Sequence, residues 1–328
     1  MEPKTIKRIG VLTSGGDAPG MNAAIRAVVR AGFYYNLEMY GIYRGYEGMI
    51  QDDIKKIESK NIAHVLERGG TFLKSARSSE FRTPEGRKKA YNNLVKHGID
   101  ALVIIGGDGS LTGAHLFYNE YGIPSIGLPG TIDNDLAGTD LTIGFDTACN
   151  TAIEAIDKIR DTATSHDRLF FVEVMGRDAG FIAINAGIGS AAAATLIPEK
   201  KMPIERLVER LKARTKAMKS SNIVIVAEGG KSGGAVEIAE KIKKELPYYD
   251  IKVTILGHLQ RGGAPSSLDR VLASKLGVFA VEGLMQGKYD VMAGIINNKV
   301  VFTPIAKAIV GHKEVDEDDF RISKILSN

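Results

Sequence analysis

Short β-branched runs that end in a glycine-rich or polar turn, each commonly followed by a helical stretch, recur along this chain. Ile9-Gly10-Val11-Leu12-Thr13 predicts the first strand and Ser14-Gly15-Gly16-Asp17-Ala18-Pro19-Gly20 its turn. Ile25, Val28, Val29 and Phe33 then fall on one helical face. Glu38 to Tyr43 predicts a shorter strand ending at Arg44-Gly45, and Asp52 to Leu66 reads as polar and helical in part. Loops follow at Arg68-Gly69-Gly70-Thr71 and Ser75-Ala76-Arg77-Ser78. A helix is expected from Pro84 to Lys96, with proline in its first turn.

Ala101 to Ile105 is the clearest strand; it passes through Gly106-Gly107-Asp108-Gly109-Ser110 into a helix. Ile123 to Leu128 predicts the next strand and runs into Pro129-Gly130-Thr131-Ile132-Asp133-Asn134-Asp135. Ile153, Ile156 and Ile159 mark one helical stripe, and Ile204, Leu207, Val208 and Leu211 another. Three later strands end in unusual turns. Leu169 to Val174 is closed by Met175-Gly176-Arg177, and Asn222 to Ala227 by Glu228-Gly229-Gly230. Ile251 to Leu256 ends at Gly257-His258-Leu259-Gln260-Arg261-Gly262-Gly263. A long helix is expected from Ser267 to Gln286, and the acidic stretch Glu314 to Asp319 as solvated surface.

Strands alternating with helices predict parallel sheets covered on both faces. In such sheets ligands bind just beyond the carboxyl ends of the strands, and the unusual turns are expected at those ends.

Composition narrows the class. The 328 residues allow two domains, and no apolar run is long enough for a membrane span. The charged start, Met1 to Ile9, runs straight into a strand, so no signal peptide is expected. A single cysteine, Cys149, excludes an internal disulfide and fits a reducing compartment, with cytoplasm as the expectation. The net charge of +4 is spread without a basic tail or basic–aromatic interleaving, and tryptophan is absent. That favours phosphorylated small molecules over nucleic acid.

The turns carry the candidate chemistry. Gly15-Gly16 lets backbone amides approach a phosphate at a helix start, though it equally suits a ligand-free tight turn. It does not match the dinucleotide fingerprint. Gly106-Gly107-Asp108-Gly109-Ser110 offers bare backbone with one carboxylate, which suits a polyphosphate whose Mg²⁺ is reached by Asp108. Asp133 and Asp135 stand two residues apart, where extended backbone would point both the same way; they can hold a metal or take a proton, or form only a polar turn. Gly230-Lys231-Ser232 imitates the end of a P-loop, but Ile225 occupies the position its first glycine needs. Glu228, at a strand end, is a possible acceptor for a substrate hydroxyl. Arg77, Arg168, Arg177, Lys252, His258 and Arg261 supply cations, and arginine's planar fork suits phosphate. Arg26 and Arg30 lie one turn apart on the first helix, as a second anion site or a solvated face. Together these groups point to phosphoryl transfer.

The runs TSGGDAPGMNAAIR, GGDGS, GLPGTIDND, VEVMGR and LGHLQRGG, in this order, resemble those of the bacterial ATP-dependent 6-phosphofructokinases from Ile9 to about Ile309. The resemblance implies an α/β protein of two similar three-layer α/β/α (Rossmann-like) domains with largely parallel sheets. It places an ATP-binding domain at 1–143 plus 259–309 and a fructose 6-phosphate domain at 144–258 plus 310–328, in a homotetramer. Asp133 would be the base toward the sugar 1-hydroxyl, flanked by Thr131 and Asp135, and Asp108 would serve Mg²⁺. Gly16, Arg77, Ser78, Gly107, Asp108, Gly109 and Ser110 would hold ATP. Met175, Gly176, Arg177, Glu228, His258 and Arg261 would hold fructose 6-phosphate, Arg177 also neutralising the transferring group. Arg168 and Lys252 would come from a neighbouring subunit.

The chain departs from the family pattern at informative positions. Lys252 stands where arginine is usual. Arg26, Arg30, Arg160 and Lys219 match the effector-site cations, but Ser59 and Ala217 replace basic residues and Ala193 replaces a glutamate. A weak or altered response to ADP and phosphoenolpyruvate is expected. Pyrophosphate-dependent relatives carry aspartate at Gly109 and lysine at Gly130, so the two glycines favour ATP. NAD and lipid kinases share the GGDG turn but lack the other runs, and a catalytically silent sensor would not need every catalytic group.

Overall fold

The computed structural model describes residues 6–166, 168–216, 222–230, 233–311 and 313–327. Along the chain come β1 (Arg8–Ser14), α1 (Met21–Tyr34), β2 (Glu38–Ile42), α2 (Gly45–Ile50), β3 (Ile54–Lys56), α3 (Pro84–His97), β4 (Ala101–Gly106), α4 (Asp108–Tyr121) and β5 (Ser125–Pro129). Then follow α5 (Phe145–Ser165), β6 (Leu169–Val174), α6 (Phe181–Gly189), β7 (Ala194–Leu196), α7 (Ile204–Lys216), β8 (Asn222–Ala227), α8 (Ala235–Glu245) and β9 (Ile251–Ile255). The last elements are α9 (Ser267–Met285), β10 (Val291–Ile296), β11 (Lys299–Pro304), α10 (Ile305–Val310) and α11 (Glu317–Leu326).

This α/β chain divides into two compact units. One runs up to Ile132 and adds Leu136–Thr147 and Arg261–Lys313; the other holds Asp133–Asp135, Ala148–Gln260 and the chain from Glu314. The first unit has a seven-stranded sheet in the order β11-β10-β5-β4-β1-β2-β3. It is parallel except at its edges, where β3 and β11 pair antiparallel. β4 is buried along its whole length, as a strand covered on both faces must be. Helices α1 and α9 pack together. Gly277 permits that approach, since a Cβ there would lie 2.7 Å from the Ala27 Cβ. The second unit has a parallel four-stranded sheet, β7-β8-β6-β9. The predicted stripe Leu207, Val208 and Leu211 is buried against Val224, Val226 and Ile238.

Local chemistry explains the ends. Thr83 caps α3, its hydroxyl accepting the Gly86 N–H at 3.1 Å, with Pro84 at the first helical position. Ser266 caps α9 in the same way, toward the Asp269 N–H.

One expectation is corrected, one is refined, one holds, and one hairpin was not foreseen. The segment 52–66 forms the edge strand β3 and a short 3₁₀ turn, Ser59–Ile62, with no α-helix. The acidic stretch Glu314 to Asp319 is solvated as expected: its acidic residues are all exposed, and only Val315 within it is buried. Asp316 caps α11 through the Asp318 N–H, and Val315 and Phe320 are buried. Glu317, Asp318 and Asp319 occupy the first turn, where the helix dipole favours negative charge. The β10–β11 hairpin was not expected at all. It turns through Asn297 and Asn298, with φ of 50° and 61°, the left-handed pair that a two-residue hairpin requires. Finally, the backbone between Asp133 and Asp135 is not extended. Asn134 has φ 54°, which asparagine tolerates, and the kink ends the period-two alternation that would have aligned the two carboxylates.

Candidate active site

In the first unit three turns meet at the carboxyl ends of neighbouring strands. Register pairs Ser14 of β1 with Gly106 of β4, and Gly106 with Pro129 of β5. The Gly130 N–H then donates to the Gly106 carbonyl at 3.0 Å. After β1, Gly15 takes φ 86°, open to glycine at no steric cost. A Cβ on Gly16 would lie 2.7 Å from Arg261 Nη1, which donates to the Asp17 carbonyl at 3.0 Å. Arg261, expected at the sugar phosphate, therefore sits against the β1 turn within the first unit.

After β4, Gly107 precedes α4 and Asp108 opens it, so the amides of the first turn face outward with Asp108 and Gly109 exposed. A Cβ at Gly109 would meet nothing within 4 Å, and one at Gly107 would only touch Thr131 at 3.6 Å. Ser110 is buried beneath them, its carbonyl accepting the Tyr46 hydroxyl at 2.6 Å. Gly130 is different. A Cβ there would lie 2.8 Å from Ile105 Cγ2 and 3.1 Å from Met21 Cε. Packing already demands glycine at 130, so its missing side chain is weaker evidence for ATP than expected. Gly109 carries that argument.

The irregular loop bearing Arg77 and Ser78 is stapled to this end of the sheet. Buried Asn22 donates to the Arg68 and Gly69 carbonyls, each at 3.1 Å, and accepts the Phe72 N–H at 2.8 Å. Ser75 donates to the Gly15 carbonyl at 2.6 Å. Arg77 is exposed, while the Ser78 hydroxyl accepts the Phe81 N–H.

In the second unit the carboxyl ends of β6 and β8 build one arrangement. Glu228 Oε1 accepts the Gly176 and Arg177 N–H groups at 3.2 and 3.0 Å. That holds a turn in which Gly176 has φ 143° and Arg177 φ 54°. The Met175 N–H donates to Gln260 Oε1 at 2.9 Å, and Gln260 is fully buried. Arg177, half exposed, brings Nε to 3.9 Å from Oδ2 of Asp133, whose side chain is 5% exposed. Asp135 is half-buried, and His258 is exposed on the turn after β9.

Arg168 and Lys252 are not at these ends. They stand at the amino ends of β6 and β9. At roughly 3.3 Å per residue that is about 20 Å of strand from Met175. There they share one carboxylate: Arg168 Nε lies 2.8 Å from Asp250 Oδ2 and Lys252 Nζ 2.8 Å from Asp250 Oδ1. Lys252, and then Arg168, hold the Asp250 carboxyl below its usual range. Of the effector candidates, Arg26 and Arg30 line a cleft of about 340 Å³ with His64 and Glu67. Arg160 donates to the Ser190 carbonyl in the second unit. Ser59 begins the 3₁₀ turn and Ala193 is fully buried, while Ala217 and Lys219, like Lys231 and Ser232, lie outside the described residues.

Sequence reading missed Asn22, Thr142, Gln260 and Asp269, buried polar side chains that hold these turns. No described helix is long and apolar enough to cross a membrane.

The phosphofructokinase family profile matches residues 8–284. The chain is 57% identical over 323 residues to ATP-dependent 6-phosphofructokinase 2 of Bacteroides thetaiotaomicron, covering 98% of this chain and 99% of that one. It is 56% identical to the ATP-dependent 6-phosphofructokinase of Cytophaga hutchinsonii, covering 98% of each. A solved phosphofructokinase from Saccharomyces cerevisiae superposes with a TM-score of 0.89 at 40% identity, over 93% of this chain and 45% of the yeast chain. The chain belongs to the phosphofructokinase family.

Proposed function

We propose that this protein is an ATP-dependent 6-phosphofructokinase of glycolysis. It would transfer the γ-phosphoryl of ATP to the 1-hydroxyl of fructose 6-phosphate, giving fructose 1,6-bisphosphate and ADP. The observation that carries the reading is the meeting of the β1, β4 and β5 turns around an open Gly107-Asp108-Gly109 surface at the start of α4. Backbone amides, a helix N-terminus and one carboxylate are what a polyphosphate and its cation need.

On this reading the first unit is the nucleotide domain, with Gly16, Arg77, Ser78 and Gly107 to Ser110 on ATP. The second takes the sugar phosphate through Met175, Gly176, Arg177, Glu228 and His258. Arg261 belongs to the sugar set by resemblance but lies on the nucleotide-side turn. Among the described residues no cluster of three acidic, histidine or cysteine groups forms a metal cage. Exposed Asp108 would hold a Mg²⁺, which would supply positive charge to neutralise charge developing on the phosphates. Asp133 takes the hydroxyl proton as the sugar oxygen bonds to the γ-phosphorus and the bond to the β–γ bridging oxygen breaks. Its burial keeps water from competing for that proton. Arg177 offsets charge on the group in flight. Thr131 and Asp135 flank Asp133.

The placement of Arg168 and Lys252, a strand's length from Met175, supports their acting on a neighbouring subunit's sugar phosphate. The edge strand β9 carries exposed Val253 and Ile255, an edge that a soluble protein normally covers, which supports a homo-oligomer. A homotetramer in the cytoplasm is the form proposed.

Replacing Asp133 with Ser tests the assignment of the base. Turnover should fall about 10²–10⁴-fold. Turnover within a few-fold of the parent protein would remove Asp133 from the mechanism.

A further inference from the structure

Between Gly130 and Ile143 the chain leaves the first-unit sheet, passes through Asp133, Asn134 and Asp135, and returns. The root of this excursion is closed by the backbone: the Ile143 N–H donates to the Pro129 carbonyl at 2.8 Å, and Gly130 bridges Ile143 in parallel register. The returning leg is pinned independently. The Asp140 N–H donates to the Ile295 carbonyl at 2.7 Å, and the Thr139 hydroxyl accepts the Ile295 N–H at 3.1 Å. The Gly144 N–H is held by Asp269 at 2.8 Å. Between these pins lies Thr142, fully buried, whose hydroxyl donates to the Thr131 carbonyl at 2.6 Å.

We propose that Thr142 is a positioning residue for the phosphoryl-transfer loop: its hydroxyl transmits the anchorage of the returning leg to Thr131 and so fixes the pose of Thr131 and Asp133. This rests on the function proposed above. Valine has the same shape and would fill the site, so packing alone does not call for a hydroxyl. Thr142 is fully buried and Thr131 only 8% exposed, so water has little access to replace the lost donor. The released carbonyl belongs to the residue two before the base. A misplacement near 1 Å at a reacting group can cost about 100-fold in rate. The carbonyl that Thr142 holds belongs to the loop that carries the base, so its effect belongs in kcat.

The test uses two pairs, Thr142 against Thr142→Val and Thr142→Ser against Thr142→Ala, in the full-length protein. Within each pair the comparison isolates the hydroxyl, and the second pair stands if the valine variant fails to fold. In both, loss of the hydroxyl should lower kcat about 10–100-fold with KM for ATP within about two-fold. The serine variant should stay close to the parent. Amide hydrogen exchange at Ile132 and Asp133 should speed up in the valine and alanine variants, a readout independent of turnover. Equal kcat within both pairs, a rise in KM for ATP matching the fall in kcat, or unchanged exchange would overturn the proposal. A parent protein without turnover on fructose 6-phosphate would overturn the function instead, and the exchange data would still decide the role of Thr142.

Discussion

Asp269 tests how the loop and the start of α5 are held. Its side chain is completely buried, with Oδ1 accepting the Gly144 N–H at 2.8 Å. Oδ2 accepts the Thr147 N–H at 2.8 Å and the Thr147 hydroxyl at 2.5 Å. These donors flank Phe145, the first residue of α5, where the helix dipole favours a negative charge. Asp269→Ala would leave all of them buried without an acceptor, at about 1–3 kcal/mol each. Relief of the carboxylate's own desolvation offsets part of that, so the net destabilisation should be about 3–5 kcal/mol. Asp269→Asn keeps the volume but turns an NH₂ toward an N–H or O–H donor, and should cost about 2–3 kcal/mol. The sign with pH also follows. Burial, the largest influence, pushes the Asp269 carboxyl above its ordinary range, and neighbouring Asp146 adds to this. The unfolded chain then loses the proton first. The stability that Asp269 contributes is therefore greatest below the ordinary aspartate value and falls as pH rises through the raised one. The gap between parent and Asp269→Asn should narrow across that interval and then level off. Urea unfolding of parent and both variants over a pH series reads all of this. An alanine variant within about 1 kcal/mol of the parent, or a gap that widens with pH, would overturn this role for Asp269.

Two further outcomes concern the cations. Lys252→Arg should lower the apparent KM for fructose 6-phosphate in a steady-state assay, because a planar fork replaces a point charge; an unchanged or higher KM would count against its role. If Ser59 and Ala193 stand where the resemblance places charged effector groups, ADP and phosphoenolpyruvate should change the fructose 6-phosphate saturation curve only weakly, and strong saturable activation by ADP would contradict this.

Much of the architecture was legible in the sequence because β4, β5, β6 and β8 are continuous apolar runs and their turns are rich in glycine. Where a strand's environment departs from that pattern, legibility fell. β3 is short and largely polar, β7 is three residues at the end of a run of small alanines, half-exposed β11 carries only Val300-Val301-Phe302, and the hairpin signal lay in the pair Asn297-Asn298. The kink at Asn134 was hidden because asparagine serves extended and left-handed backbone alike. The residue types of the candidate site were readable from their turns, but their supports were not. Asn22, Thr142, Gln260 and Asp269 look like ordinary polar residues, and the groups they hold lie elsewhere in the chain, so only the fold reveals them. Gly130 shows the converse: a residue read for its chemistry is required by packing as well.

On this reading the chain phosphorylates fructose 6-phosphate from ATP. A coupled assay of fructose 1,6-bisphosphate formation, run with Mg²⁺ and with ATP or pyrophosphate as the only donor, tests it most directly. Sustained turnover with ATP and little with pyrophosphate is expected. Turnover on pyrophosphate equal to or above that on ATP, or none on either, would contradict it.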